Sequence, residues 1–135
     1  MHFSVDPSAP APPSEQLADQ VRFAVASGRL SIGDRLPSVR ALAAQARVNP
    51  NTVSRAWREL EREGVVQSRR GEGVFVAPTA PDVCRACRDR VIAERLGRAV
   101  AEACAAGLAP EEILELAKDA LAGWRALDPE EVPQE

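Results

Sequence analysis

Asn51, Thr52 and Arg55 open the stretch NPNTVSRAWREL, and their spacing puts them on one side of a helix. Those residue types can read DNA. Arg55 offers two donors to a guanine edge, Asn51 can pair with adenine, and Thr52 can touch phosphate or a thymine methyl. Arg35, Ser38 and Arg40 come shortly before, placed to hold a phosphate backbone. The exposed N–H groups that begin a helix attract phosphate as well. Downstream, Arg69-Arg70-Gly71-Glu72-Gly73 puts two cations at the entrance of a turn. Its arginines can enter a minor groove or grip phosphate, and its glycines let backbone approach closely. With Asn49 at the helix start, the candidate DNA-binding set is Arg35, Ser38, Arg40, Asn49, Asn51, Thr52, Arg55, Arg69, Arg70, Gly71 and Gly73. Any one of these is also an ordinary solvated residue; the reading rests on the set.

Other chemistry is sparser. Cys84-Arg-Ala-Cys87 has the spacing of half a zinc site, but a structural site takes four ligands. The remaining candidates are Cys104 and His2. One turn apart on a helix, Cys84 and Cys87 also fit a packing face. No metal and no cofactor are therefore expected, and a metal or thiol sensor using Cys84, Cys87 and Cys104 stands as an alternative. His2 is the only histidine, and no phosphate loop or Cys–His pair accompanies it. Glu111-Glu112 reads as a helix start, and the chain is not expected to be an enzyme.

The DNA-facing side chains need a helix held in place, and the neighbouring sequence supplies it. Asn49 suits a helix cap, Pro50 suits the first turn, and Val48 and Val53 have the spacing of a hydrophobic staple. Val53, Ala56, Trp57 and Leu60 form a core face, with Arg58 or Glu59 on the polar side and Gly64 at the end. Before it, Pro37 and Ser38 open a short helix with Val39, Leu42, Ala43 and Ala46 inward, and Ala46-Arg47-Val48 is the corner. Ser14 to Ser27 predicts an earlier helix, capped by Ser14 and followed by Gly28. Leu30 and Ile32 flank a turn that Gly33-Asp34 closes. Val65 to Ser68 and Val74 to Ala77 read as short strands. Three helices and a basic hairpin make a winged helix-turn-helix.

The ends divide the chain. Residues 1–13, with Pro7, Pro10, Pro12 and Pro13, read as a flexible leader. Residues 14–78 are the winged helix-turn-helix domain and 79–135 a helical tail. The tail begins with a helix from Asp82 to about Ala106, striped by Val83, Cys87, Val91 or Ile92, Leu96, Val100 and Ala103. A second helix starts at Pro110, after Ala109, a poor cap, and Asp128 onward reads as frayed. Two such helices cannot bury both stripes within one small chain, and pairing across a two-fold axis completes the burial. Ile92, Leu96, Val100, Ile113, Leu116, Leu121 and Trp124 are the candidate dimer interface. The expected fold class is mainly α with a small β-hairpin, the winged domain followed by a two-helix dimerisation tail.

The net charge of −3 hides an asymmetry. Residues 14–78 carry ten arginines against seven carboxylates, whereas residues 79–135 carry seven cations against twelve carboxylates. A cationic first part and an acidic second part suit a nucleic-acid-binding domain with a separate appendage. No apolar run approaches the roughly 20 residues of a membrane span, and no signal peptide is visible. A cytoplasmic location without a membrane partner is expected.

The run ASGRLSIGDRLPSVRALAAQARVNPNTVSRAWRELEREGVVQSRRGEGVFV resembles the DNA-binding domain of GntR-family bacterial transcription regulators. SGRL, GDRLPS, RALA, VNPNTV, LEREG and RGEGVFV recur at the family's distances, from about Pro13 to Ala77. The short tail is similar to that of the YtrA-like branch, which lacks a large effector domain. Through this resemblance Arg35 and Arg40 match helix-two contacts, Asn49, Asn51, Thr52 and Arg55 match the start of the reading helix, and Gly71 and Gly73 match the wing tip. Val39 stands where many relatives carry Glu. The resemblance implies a homodimeric repressor whose partner is a double-stranded operator arranged as an inverted repeat. A ligand-gated regulator with an effector site between subunits stays open, its small molecule unknown.

Overall fold

The computed structural model describes residues 1–127; the expectation of fraying from Asp128 lies outside the described residues. The order is α1 (Pro13–Ala26), α2 (Val39–Ala46), α3 (Pro50–Arg62), β1 (Val66–Arg69), β2 (Gly73–Val76), α4 (Ala80–Ala105) and α5 (Pro110–Leu127). The fold is mainly helical with one antiparallel hairpin. Contacts divide it into two units, the first running from Met1 to Asp89 and the second beginning at Arg90.

The core of the first unit follows from helical periodicity. Leu17, Ala18, Val21 and Val25 of α1 share a buried cluster with Val53, Ala56, Trp57 and Leu60 of α3. Leu42 and Ala43 of α2 join it, as do Leu36, Val65, Val66 and Val76 around the hairpin. Each such large aliphatic side chain contributes about 1.5–3 kcal/mol by leaving water. The cluster also includes Ala80 and Cys84 of α4, both fully buried. The winged unit therefore continues past the boundary expected at residue 78, into the first turns of α4. Cys84 is buried there, and Val83 and Cys87 of the expected stripe are half-buried, with Val83 packed against the cluster.

Residues 1–13 depart from the expected flexible leader. Phe3 is 1% exposed and belongs to the core cluster. Two glutamines of α1 hold the segment. Gln20 accepts from Ser4 N at 3.1 Å and donates to Ser4 O at 2.6 Å. Gln16 accepts from Asp6 N at 2.9 Å and donates to Asp6 O at 3.0 Å. Four residues of helix rise about 6 Å and two residues of extended chain span about 6.6 Å, so the two spacings match. The prolines forbid a helix in this segment, and an extended strap needs none. Helix α1 also starts one residue before the expected Ser14 cap. Pro12 sits at the cap without a side-chain bond, and Pro13 at the first position has no N–H to satisfy.

The hairpin is shifted by one residue toward its tip from the strands expected. Its register pairs Val66 with Val76, Gln67 with Phe75, Ser68 with Val74 and Arg69 with Gly73. The expected turn forms, with Asp34 N donating to Ser31 O at 3.0 Å, and the chain from Gly33 to Leu36 adds a third edge. Gly33 N donates to Val76 O, Val76 N to Asp34 O and Leu36 N to Val74 O, at 2.9, 2.9 and 2.8 Å. Arg35 thereby bridges to Phe75 across the ladder.

In the second unit, the turn between α4 and α5 is closed by Leu108 N donating to Ala103 O at 3.1 Å. Ala109 offers no side-chain cap, and the Glu112 carboxylate accepts its N–H at 3.1 Å, half of a capping box. Ile92, Leu96, Val100, Leu114, Leu116, Leu121 and Trp124 are exposed, and Ile113 is half-buried. No helix among the described residues is long and apolar enough to cross a membrane.

Candidate nucleic-acid interface

Helix α3 is fixed at its start by local chemistry. Asn49 Oδ1 accepts from Asn51 N at 2.8 Å, and Asn49 O accepts from Thr52 N at 2.9 Å. Pro50 fills the first position, where a missing donor costs nothing. Of the two staple residues, Val53 is fully buried and half-buried Val48 packs against the same core cluster. With Val53, Ala56, Trp57 and Leu60 inward, Asn51 and Arg55 are exposed and Thr52 is half-exposed. These three side chains thus share the outer face of α3. Asn49 is partly committed, since its side-chain oxygen serves the helix and only its amide N–H groups stay available.

Helix α2 supports that face. Ser38 Oγ accepts from Ala41 N at 3.1 Å and caps the helix, leaving its hydroxyl proton to donate elsewhere. Arg40 is exposed in the first turn. The corner is unusual. Arg47 adopts φ 56°, the sole left-handed residue other than glycine among the described residues. Left-handed backbone costs a side chain about 1–2 kcal/mol. Val48 N then donates to Ala43 O at 3.0 Å and closes the corner. The periodicity that locates this corner carries no sign of its handedness.

The wing places Arg70 and Gly71 at an exposed tip. Glu72 N donates to Arg69 O at 2.9 Å, and Gly71 at φ 78° takes the positive angle such a turn requires. Gly73 has a role besides backbone freedom. A Cβ there would stand 3.0 Å from Arg35 Nε, close enough that the arginine would have to shift, so the absent side chain leaves room for Arg35 beside the strand. The Arg69 guanidinium carbon lies 4.4 Å from the centre of the Phe75 ring. Phe75 and Gln67 are absent from the sequence-derived set. Their signal was the strand alternation, which puts both on the same face as Arg69.

Charge is sorted within the first unit. Arg22 is buried, with Nη2 2.6 Å from Glu63 Oε1, Nε 3.0 Å from Glu63 Oε2 and Nη1 3.0 Å from Asp19 Oδ1. Burial opposes its charge, but the bonded carboxylates outweigh that and raise its pKa. Glu59 lies 3.8 Å away. Three of the seven carboxylates of residues 14–78 thus gather at one buried arginine. Arg35, Arg40, Arg55, Arg69 and Arg70 are left as exposed cations. The local field at α3 and the wing is more positive than the net count suggests.

Cys84 is buried, Cys87 half-buried and Cys104 exposed. Burial, with a smaller contribution from Cys87, pushes the Cys84 thiol up to about 11. Among the described residues no three His, Cys, Asp or Glu side chains are grouped to hold a metal ion.

A capped helix α3 packed on the preceding α2, with a basic hairpin following, defines a winged helix-turn-helix. Residues 13–76 match the bacterial regulatory proteins of the gntR family. The chain is 36% identical over 117 residues to the HTH-type transcriptional repressor YtrA of Bacillus subtilis, covering 87% of this chain and 90% of that one. It is 42% identical over 100 residues to the uncharacterized HTH-type transcriptional regulator YhcF of the same organism, covering 74% and 82%. Among solved structures, a GntR family transcriptional regulator from Listeria monocytogenes superposes with a TM-score of 0.66 at 28% identity, covering 85% of this chain and 98% of that one. YtrA from Sulfolobus acidocaldarius, a GntR-family transcription factor, gives 0.52 at 32% identity, covering 66% and 95%. The chain belongs to the GntR family and is a transcription regulator with a DNA-binding domain.

Proposed function

We propose that the chain is a homodimeric, cytoplasmic repressor that binds an inverted repeat in double-stranded DNA. The observation that carries this is the outer face of α3. Asn51, Thr52 and Arg55 stand opposite a fully packed core face, so no fold requirement explains their types. Asn51, Thr52 and Arg55 read base edges in the major groove, while Arg35, Ser38, Arg40 and the free amide of Asn49 hold phosphates. The wing, Arg69 to Gly73, touches the adjoining minor groove or backbone. Repression is supported by the relative named as a transcriptional repressor, which matches nearly the whole chain.

Dimerisation is supported by the second unit. Ile92, Leu96 and Val100 recur every four residues on α4 and are exposed; Leu116, Leu121 and Trp124 on α5 are exposed too. Large apolar side chains left exposed together support an interaction surface. A two-fold protein matches a two-fold operator, with half-sites one helical turn or a multiple apart. Selecting bound duplexes from a random pool, with sedimentation of the free chain, tests the proposal. Enriched inverted repeats and a dimer are expected. A single unrepeated site bound by a monomer would contradict it.

A further inference from the structure

The outer face of the wing holds an arrangement that the DNA-contact set does not explain by itself. In an antiparallel ladder, directly opposed residues share a face, and faces alternate along each strand. Val66, Val74 and Val76 pack against the core, so Gln67, Arg69, Gly73 and Phe75 lie on the opposite face. Arg35 joins that face through its bridge to Phe75. The two arginines flank β2 from opposite edges and reach past each other. Arg35 is opposed to Phe75 yet its Nε runs alongside Gly73, where a Cβ would stand 3.0 Å away. Arg69 is opposed to Gly73 yet its guanidinium reaches back over the Phe75 ring, 4.4 Å from its centre.

A phenylalanine on the solvent side of a wing contributes nothing to the core beneath it. Here the ring is half-buried, and Arg69 lies over it. An exposed arginine at a hairpin end otherwise samples many rotamers and loses that freedom on binding. An aromatic face holds the guanidinium in one orientation without neutralising it, as a carboxylate would.

We propose that Phe75 is a positioning residue for DNA binding. Its ring holds the Arg69 guanidinium in place, while Gly73 beside it admits Arg35, so two cations stand at set places on one face for the phosphates of a duplex. This rests on the DNA-binding reading above, and its test separates the two.

The test is a double-mutant cycle on the full chain, with Phe75→Leu and Arg69→Ala singly and together. Binding to a mixed-sequence DNA duplex at low salt is followed by fluorescence anisotropy. Phe75→Leu alone is expected to weaken binding by about 2- to 5-fold. In the Arg69→Ala background it is expected to cost nothing further, and Phe75→Trp is expected to bind like the native chain. In the free protein, proton NMR should show the Arg69 side-chain protons shifted upfield by the ring, an effect lost in Phe75→Leu. Equal losses from Phe75→Leu in both backgrounds, or a folded Phe75→Trp as weak as Arg69→Ala, would overturn the positioning role while DNA binding stood. A native chain that binds no duplex, with the Arg69 protons still shifted, would overturn the DNA reading and the role that depends on it.

Discussion

Phe3 stands edge-on to Trp57 of α3, with ring centroids 6.4 Å apart and planes at 74°. Residue 3 therefore packs on the inner side of α3. Phe3→Ala is expected to lower stability by about 3–5 kcal/mol, the usual cost of deleting a buried aromatic ring. Urea unfolding followed by tryptophan fluorescence measures it. A change within about 0.5 kcal/mol, typical of surface positions, would mean that the strap does not seal the core.

How much of this was legible from the residues depended on which signal carried it. The reading helix was legible because cap, first-turn proline, staple and apolar periodicity all fell within Val48 to Leu60. The short helix before it was legible for the same reason at Ser38. The strap was not, because proline density argues against a helix and is silent on extended packing. Its anchors, Gln16 and Gln20, sit in another element. The turn closed by Gly33-Asp34 was legible, but the third edge it leads into, Gly33 to Leu36, was not, because its ladder partners lie about forty residues away. On α4, Val83, Cys84 and Cys87 are all apolar enough to face inward, so the periodicity did not single out Cys84 as the one fully buried there. At the site, the arginines were legible by type, but the pairing of Arg35 with Gly73 and of Arg69 with Phe75 exists only once the register is set.

Arg47 holds a left-handed conformation at the corner between α2 and α3, where glycine would be unstrained. Arg47→Gly is expected to raise stability by about 0.5–1 kcal/mol, the strain relieved less the added chain entropy of glycine. Thermal unfolding should show a modest rise in Tm. A fall would mean that the arginine side chain stabilises the corner by more than its backbone costs.

Cys84 links thiol chemistry to stability. Its folded pKa, about 11, lies above the ordinary value of 9.0, chiefly through burial. Below pH about 9 both folded and unfolded chains keep the proton, and the buried thiol is tolerated at no cost. Between about 9 and 11 the unfolded chain releases the proton first, so stability falls as pH rises. Cys84→Ala should flatten that fall. Alkylation of the native chain at pH 8 is expected to modify exposed Cys104 first and Cys84 only on unfolding. Rapid native alkylation of Cys84 would revive a thiol-sensing role.

Glu72 sits at the wing tip between Gly71 and Gly73, the one carboxylate in a basic turn. Glu72→Gln is expected to tighten binding to duplex DNA by about 2- to 5-fold at low salt, an effect that fades as salt screens the tip. Anisotropy titrations at several salt concentrations read this out. Unchanged affinity at low salt would place the wing tip away from the phosphates.

The central claim is that the outer face of α3 reads bases, and Arg55 tests it most directly. The measurement is the affinity of Arg55→Ala, against the native chain, for a duplex selected by the native chain and for a mixed-sequence duplex. A loss of about 1–3 kcal/mol confined to the selected duplex, with specificity relaxed at one base pair per half-site, is predicted. Equal losses on both duplexes would show that Arg55 only holds phosphate, and would contradict base reading by this helix.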